Sequence, residues 1–222
     1  EGERICGDVF LSDKFKEENR LIIVLSDGVG HGVKANVLAT LTATMAMNFT
    51  KEHKDVQKTA EIIMNTLPVD NKRKISYATF TIIDIEQDGH TTILEYDNPE
   101  TTILRNDQIF QPEWKSIVLE SEENKGKELK SCSFKAQKED RIVFSSDGIV
   151  QSGLGSEKYP FGWGQENYIE FVRRLVKNNP GISADRLSLK VVNMAYQNDQ
   201  YHAKDDTSCG AVYFREPRRL LI

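Results

Sequence analysis

Twice in this chain an apolar run of strand length ends in the same three residues. Leu21–Leu25 (LIIVL) leads into Ser26-Asp27-Gly28, and Arg141–Ser145 (RIVFS) leads into Ser146-Asp147-Gly148. A continuous apolar run bounded by polar residues reads as a strand buried on both faces, since it lacks the alternation of a half-wet strand. Each run therefore sets an aspartate immediately beyond a buried strand. The glycine that follows lets the backbone turn sharply and come close to a ligand.

The rest of the chain supplies partners for these strands. A first strand is expected around Ile5–Leu11. From Val33 onward, Val37, Leu38, Leu41, Met45 and Phe49 recur at helical spacing among Ala35, Ala39, Ala43 and Ala46, which predicts a long buried helix. Val56, Ala60, Ile63, Met64 and Leu67 predict a second helix, stopped by Pro68. Ser76–Ile85 and Thr91–Tyr96 are strand-like around the turn signal Asp88-Gly89, and Thr101–Arg105 and Gln108–Phe110 flank Asn106-Asp107. The charged stretch Glu120–Lys130 reads as a solvated loop, followed by a strand at Leu129–Phe134. Helices at about Gln165–Lys177 and Ser183–Asn198 and a strand at Ser208–Phe214 close the chain. Runs of strands between two pairs of helices make the class α+β with mostly antiparallel sheet. Repeats and long linkers are missing, so we read residues 1–222 as one domain with its core at about 5–215.

Composition narrows the function. Lys and Arg total 29 against 34 Asp and Glu, a net charge of −5, which disfavours nucleic acid and anionic membrane surfaces as partners. Without a membrane-spanning apolar run or a basic-then-apolar leader in EGERICGDVF, the expectation is a soluble, cytoplasmic protein. Cys6, Cys132 and Cys209 lie far apart without a CxxC pair and read as buried, reduced thiols.

That leaves the carboxylates. Besides Asp27 and Asp147, Asp8 sits in Gly7-Asp8-Val9-Phe10 and Asp205-Asp206 just before the last strand. Any one alone would be a turn or capping residue. If they converge they need a counter-charge, since like charges about 4 Å apart repel by roughly 4 kcal/mol at an effective dielectric near 20. Oxygen ligands without a Cys/His cluster suit Mg2+ or Mn2+ and disfavour zinc. A pair of such ions could clamp a phosphate and acidify a water, which suits hydrolytic phosphoryl transfer without an activated Ser, Cys or His.

The ordered set GDVF, LSDGVGHG with its Ala-rich helix, SSDGIVQSG and KDDTSC resembles the metal-dependent protein phosphatases of the PPM (protein phosphatase 2C-like) superfamily. Within it, the chain is most similar to the branch of bacterial sporulation stage II protein E and its stress-response relatives. The resemblance runs from about Gly7 to Phe214, and the segment from Tyr96-Asp97-Asn98-Pro99 to Leu104-Arg105-Asn106 is similar to that family's central hairpin. It implies a four-layer αββα sandwich, two antiparallel sheets flanked by helix pairs, with two Mn2+ or Mg2+ ions at one end. It also implies hydrolysis of phosphoserine or phosphothreonine by a bridging metal-bound hydroxide. Asp27 resembles the aspartate that bridges both ions, with Gly28 offering its carbonyl. Asp147 and Asp205 resemble further ligands, and Asp8 matches an acidic residue that binds a metal directly or through water. Asp206 resembles a support for the turn beside Asp205. The implied substrate is a phosphorylated anti-sigma-factor antagonist, in a partner-switching pathway.

Two departures from the eukaryotic pattern stand out. The motif histidine would fall at Val29, whereas the nearest is His31, which acts either as a general acid or as a loop residue positioning the glycine turn. Arg4, on the side of an extended strand that positions 6 and 8 share, is a candidate phosphate holder or simply a solvated arginine. Two other readings stay open. A catalytically silent domain would keep the fold to bind a signalling partner, but every expected ligand position here is acidic. A nucleotide-binding domain is suggested by Gly28-Val29-Gly30-His31-Gly32, although this is GxGxG without the dinucleotide spacing. With Glu1 only seven residues before Asp8, a lone phosphatase and a piece of a longer sensor protein read alike.

Overall fold

The computed structural model describes residues 6–28, 32–52, 55–67, 69–70, 75–76, 78–202 and 204–215. Its backbone contacts group into two units, residues 1–98 with 112–135 and residues 99–111 with 136–222.

The first unit holds a six-stranded antiparallel sheet. Its strands are β1 (Asp8–Phe15), β2 (Arg20–Gly28), β5 (Ala78–Ile85), β6 (His90–Tyr96), β9 (Lys115–Ile117) and β10 (Leu129–Lys135), in the order β1-β2-β5-β6-β10-β9. A small ribbon pairs β3 (Val69–Asp70) with β4 (Ile75–Ser76). As the unbroken apolar run predicts, residues 22–26 of β2 are all buried whichever way they point. The β5–β6 hairpin turns at Asp88-Gly89, where Asp88 Oδ1 accepts from His90 N (2.9 Å) and Gly89 adopts φ 88°. On this sheet lie α1 (Val33–Lys51) and α2 (Val56–Thr66); Asp55 caps α2 by accepting from Lys58 N (2.9 Å). Ile22, Val24, Phe80, Ile82 and Leu94 pack with Ala43, Ala46, Ala60, Ile63 and Met64.

Helix α1 has its expected bounds but buries the other face. Ala35, Ala39, Ala43 and Ala46 are in the core with Thr42, Met47 and Thr50, whereas Val33, Val37 (56% exposed) and Leu41 (43%) face outward. Met45 and Phe49 are partly buried at its edge. Small side chains let the helix axis approach the sheet closely, and close approach wins over burying the larger residues. Arg20 fixes the far end of α1: Nη2 donates to Thr50 O (2.8 Å) and Nη1 to Lys51 O (3.3 Å), while Nε and Nη2 grip Asp84 at 2.8 and 2.7 Å.

The first strand begins later than expected, at Asp8, and runs on to Phe15. The 120–130 stretch is more than a solvated loop. A 3-10 turn at Glu122–Asn124 buries Asn124, which donates to Asn65 Oδ1 (2.8 Å) and accepts from Lys127 Nζ (2.9 Å).

The second unit holds a four-stranded antiparallel sheet of β7 (Thr102–Arg105), β8 (Gln108–Phe110), β11 (Asp140–Ser145) and β12 (Cys209–Tyr213), ordered β12-β11-β7-β8. Its helices are the short α3 (Asp147–Val150), then α4 (Gln165–Asn178) and α5 (Ala184–Asn198). Leu104 and Val143 meet Tyr168, Val172, Leu187, Val191 and Ala195 in its core. Fully buried Arg141 is satisfied by Ile182 O (2.7 Å) and Pro180 O (2.9 Å) and lies 3.6 Å from the centre of the Tyr213 ring. Among the described residues no helix is long and apolar enough to cross a membrane.

Candidate functional site

The two Ser-Asp-Gly endings are built differently from one another, and neither is a simple turn beyond a strand. In the first unit β2 continues through Asp27 and Gly28. Its antiparallel register with β1 sets Asp8 directly opposite Asp27, and on its other side Asp27 faces Thr79 of β5. Cross-strand partners have Cβ atoms about 4.5–5.5 Å apart on the same face, so two carboxylates share one small surface. Ser26 Oγ donates to Thr79 O (2.9 Å), and the Thr79 hydroxyl donates to Asn98, whose Nδ2 donates to Thr81 Oγ1 (3.0 Å). These bonds fix the strand beside Asp27. They also attach the Asp97-Asn98 turn to β5.

Gly28 is required by close approach, since a Cβ there would stand 2.2 Å from the backbone oxygen of Ala35 in α1. Its N–H donates to Gly7 O (3.2 Å), next to Asp8. The first turn of α1, the end of β2 and the start of β1 are therefore packed as one piece around Asp8 and Asp27.

In the second unit Asp147 is the first residue of α3, after the cap residue Ser146. Gly148 again meets a backbone carbonyl, because its Cβ would lie 2.1 Å from Asp206 O. The turn before β12 is tied on by Ser146 N to Ser208 O and Ser208 N to Ser146 Oγ, both 3.0 Å. Asp147 and Asp205-Asp206 thus occupy adjoining turns. Asp205 Oδ1 accepts from Asp206 N (2.9 Å), and Thr207 Oγ1 donates to Asp205 O (3.3 Å). Asp147 Oδ2 accepts from Gln151 Nε2 (3.0 Å), whereas its Oδ1 is buried with no hydrogen-bond partner. Buried acceptors are ordinarily satisfied, so this carboxylate oxygen is open to a cation or a water molecule.

Each unit by itself offers oxygen donors that suit a hard divalent cation: two aspartates held in register in the first, and in the second a carboxylate with one buried oxygen that no protein group bonds. Among the described residues no three His, Cys, Asp or Glu side chains lie together as a group that could hold a metal ion. Arg4 and His31, with Val29 and Gly30 of the glycine-rich turn, lie outside the described residues.

Gln151 and Ser146, both inside the SSDGIVQSG motif, are brought against the site without having a role assigned by the motif itself. Gln151 is four residues after Asp147, a spacing that lets a helical amide reach a carboxylate, and was legible on that ground. Ser146 showed no signal beyond its place before the aspartate. Of the cysteines, Cys132 is buried as expected, and burial pushes the Cys209 thiol up to about 12, which leaves it protonated and unreactive. Cys6, expected to be buried, is exposed, because β1 begins only after it.

The family model for stage II sporulation protein E (SpoIIE) matches residues 17–215. Among solved structures, the phosphatase domain of the Bacillus subtilis cell-fate determinant SpoIIE, in a crystal form without domain swapping, superposes with a TM-score of 0.65 at 16% identity, covering 98% of this chain and 90% of that one. The RsbU and RsbW domains of a Mycobacterium tuberculosis protein match with a TM-score of 0.67 at 18% identity over 92% of this chain. This chain spans 54% of that protein, about half its length. RsbX in complex with magnesium gives 0.60 at 18% identity, over 94% of this chain and 87% of that one. No curated protein sequence matches significantly. The α+β fold, two antiparallel sheets each carrying helices, is that of PP2C-like phosphatase domains.

Proposed function

Because this chain belongs to the stage II sporulation protein E (SpoIIE) family of PP2C-type phosphatase domains, we propose that it is a metal-dependent serine/threonine protein phosphatase. The observation that carries the reading is Asp147, with one oxygen oriented by Gln151 and the other buried without a protein donor. Asp8, Asp27, Gly28, Asp147 and Asp205 are the proposed ligands of two divalent cations, Mn2+ or Mg2+. When bound, these ions would neutralise substrate phosphate and acidify a water. The protein's own part is positional. Asp8 and Asp27 are held in register by β1 and β2, Gly28 brings α1 against that pair, and Gln151 sets the rotamer of Asp147. Asp206 supports the neighbouring turn through its carbonyl beside Gly148. His31 remains the proposed general acid, and Arg4 a proposed contact for substrate phosphate.

The proposed substrate is a phosphorylated anti-sigma-factor antagonist in a bacterial partner-switching pathway. Supporting this, structural neighbours include the RsbU and RsbW domains of one protein and a chain from a structure concerned with the bacterial stressosome. The test is hydrolysis of such a phosphoprotein and of p-nitrophenyl phosphate by purified protein with Mn2+ or Mg2+. Asp147→Asn should lower kcat at least about 100-fold with its melting temperature retained, as expected for loss of electrostatic stabilisation of the transition state. Unaltered protein that binds Mn2+ and the phosphoprotein without turnover would mark a silent, partner-binding domain and refute the enzyme reading.

A further inference from the structure

The connection between α3 and α4, residues 151–164, is built as a rigid part. It closes on itself through Leu154 N to Gln151 O (3.0 Å), Gly155 N to Pro160 O (3.2 Å), Trp163 N to Ser152 O (2.8 Å) and Gly164 N to Val150 O (2.8 Å). Positive φ at Gly153, Gly155, Gly162 and Gly164 permits these reversals. Neighbouring side chains pin it further. Asp199 Oδ1 accepts from Gly153 N (2.7 Å), Lys204 Nζ donates to Leu154 O (2.6 Å), and buried Trp163 stands edge-on to Phe171.

At the tip of this loop Phe161 is 92% exposed, more than any other large apolar side chain among the described residues, and Leu154 of the same loop is 45% exposed. A slack loop could fold such a ring inward; this one holds it in water. Its position relates it to the candidate site. A Cβ on Gly162 would lie 2.8 Å from Val150 O and 3.1 Å from Gln151 Cα, so the residue after Phe161 rests on the end of α3. Gln151 is the residue that orients Asp147.

We propose that Phe161, with Leu154, is a docking knob for the protein substrate. It enters an apolar recess on a folded phosphoprotein whose phosphorylated residue is presented to the site containing Asp147. This rests on the phosphatase reading above. A knob on a loop already fixed by hydrogen bonds incurs less ordering cost on binding than one on a slack loop, and aromatic side chains that become buried on association are enriched at interface cores. Such a knob requires a formed recess, which a short unfolded peptide cannot offer.

The experiment compares kcat/KM of unaltered protein and Phe161→Ala, with Mn2+, on three substrates. These are a folded phosphorylated anti-sigma-factor antagonist, a short phosphoserine peptide from it, and p-nitrophenyl phosphate. The ratio for the folded substrate over the two small ones should fall about tenfold or more through KM, with Phe161→Leu retaining most of it. Since the ring is in solvent, both variants should melt like the unaltered protein. An unchanged ratio, or a loss shared equally by p-nitrophenyl phosphate, overturns the proposal alone. So does concentration-dependent self-association that Phe161→Ala abolishes, which would make a second copy of this chain the occupant. Failure of the unaltered protein to hydrolyse any of the three overturns the phosphatase reading and the docking proposal with it.

Discussion

Replacing Gly28 by alanine adds a single methyl group at the joint between β2 and α1. That methyl would stand 2.2 Å from the Ala35 carbonyl oxygen, with the Ala35 carbonyl carbon 2.7 Å away. The opposing atoms are backbone, so no side chain can swing aside. Reaching an ordinary contact of about 3.5 Å requires α1 to retreat by roughly 1 Å. Overpacking of this kind costs about 1–3 kcal/mol, and at about 2–4 °C per kcal/mol for a chain of this size the melting temperature should fall by roughly 2–12 °C. The control is Gly181→Ala, whose nearest non-neighbouring atom is 3.9 Å from the added Cβ. Thermal unfolding followed by circular dichroism, in metal-free buffer, isolates the packing term. The same retreat carries the first turn of α1 away from Asp8 and Asp27, so phosphatase activity should drop by about 100-fold, the order of loss for a 1 Å misplacement. If Gly28→Ala melts with Gly181→Ala, the close approach is not what that glycine is for, and the reasoning fails.

Asp8→Asn removes one of two like charges opposed across β1 and β2, and should stabilise metal-free protein by about 0.2–1 kcal/mol; saturating Mn2+ should reverse the order of melting temperatures. Ala39→Leu should destabilise by about 1–3 kcal/mol through overpacking, whereas Leu41→Gln should change stability by less than about 0.5 kcal/mol; the opposite ranking in chemical denaturation would return the buried face of α1 to its larger residues. Iodoacetamide should modify Cys6 in native protein and spare Cys132 and Cys209, as read by peptide mass spectrometry. Because burial raises the Cys209 thiol to about 12, its thiolate is gained only as pH approaches that value, so raising pH from neutral to mildly alkaline should leave Cys209 unmodified.

The strands and helices were legible because their signals are local. The period of apolar residues located α1 and α2, and the Asp88-Gly89 and Asn106-Asp107 turns located both hairpins. The acidic motifs were legible for the same reason. What pairing decides was not. The facing of Asp8 and Asp27 depends on the register of β1 against β2, which a turn several residues away sets. Likewise, the identity of the buried face of α1 depends on how near the helix can come to the sheet. Both faces carry apolar residues, so only contact with Gly28 and β2 separates the alanines from Val33, Val37 and Leu41. The glycine of each Ser-Asp-Gly is expected to turn the backbone and bring it close to a ligand, whereas the close approach in the structure is to a carbonyl from a distant segment, Ala35 in one case and Asp206 in the other.

Among the described residues β1 is paired on one side only, at the edge of its sheet. Edge pairing leaves it a ladder of hydrogen bonds on one side alone, which lowers the cost of local opening. Asp8, its first residue, sits at the end of that ladder. A cation shared by Asp8 and Asp27 would draw part of its binding free energy to close that strand. Ion occupancy and the docking of β1 then become one linked equilibrium: whatever steadies the strand from outside tightens the ion, and loading the ion slows amide hydrogen exchange along Asp8–Phe15.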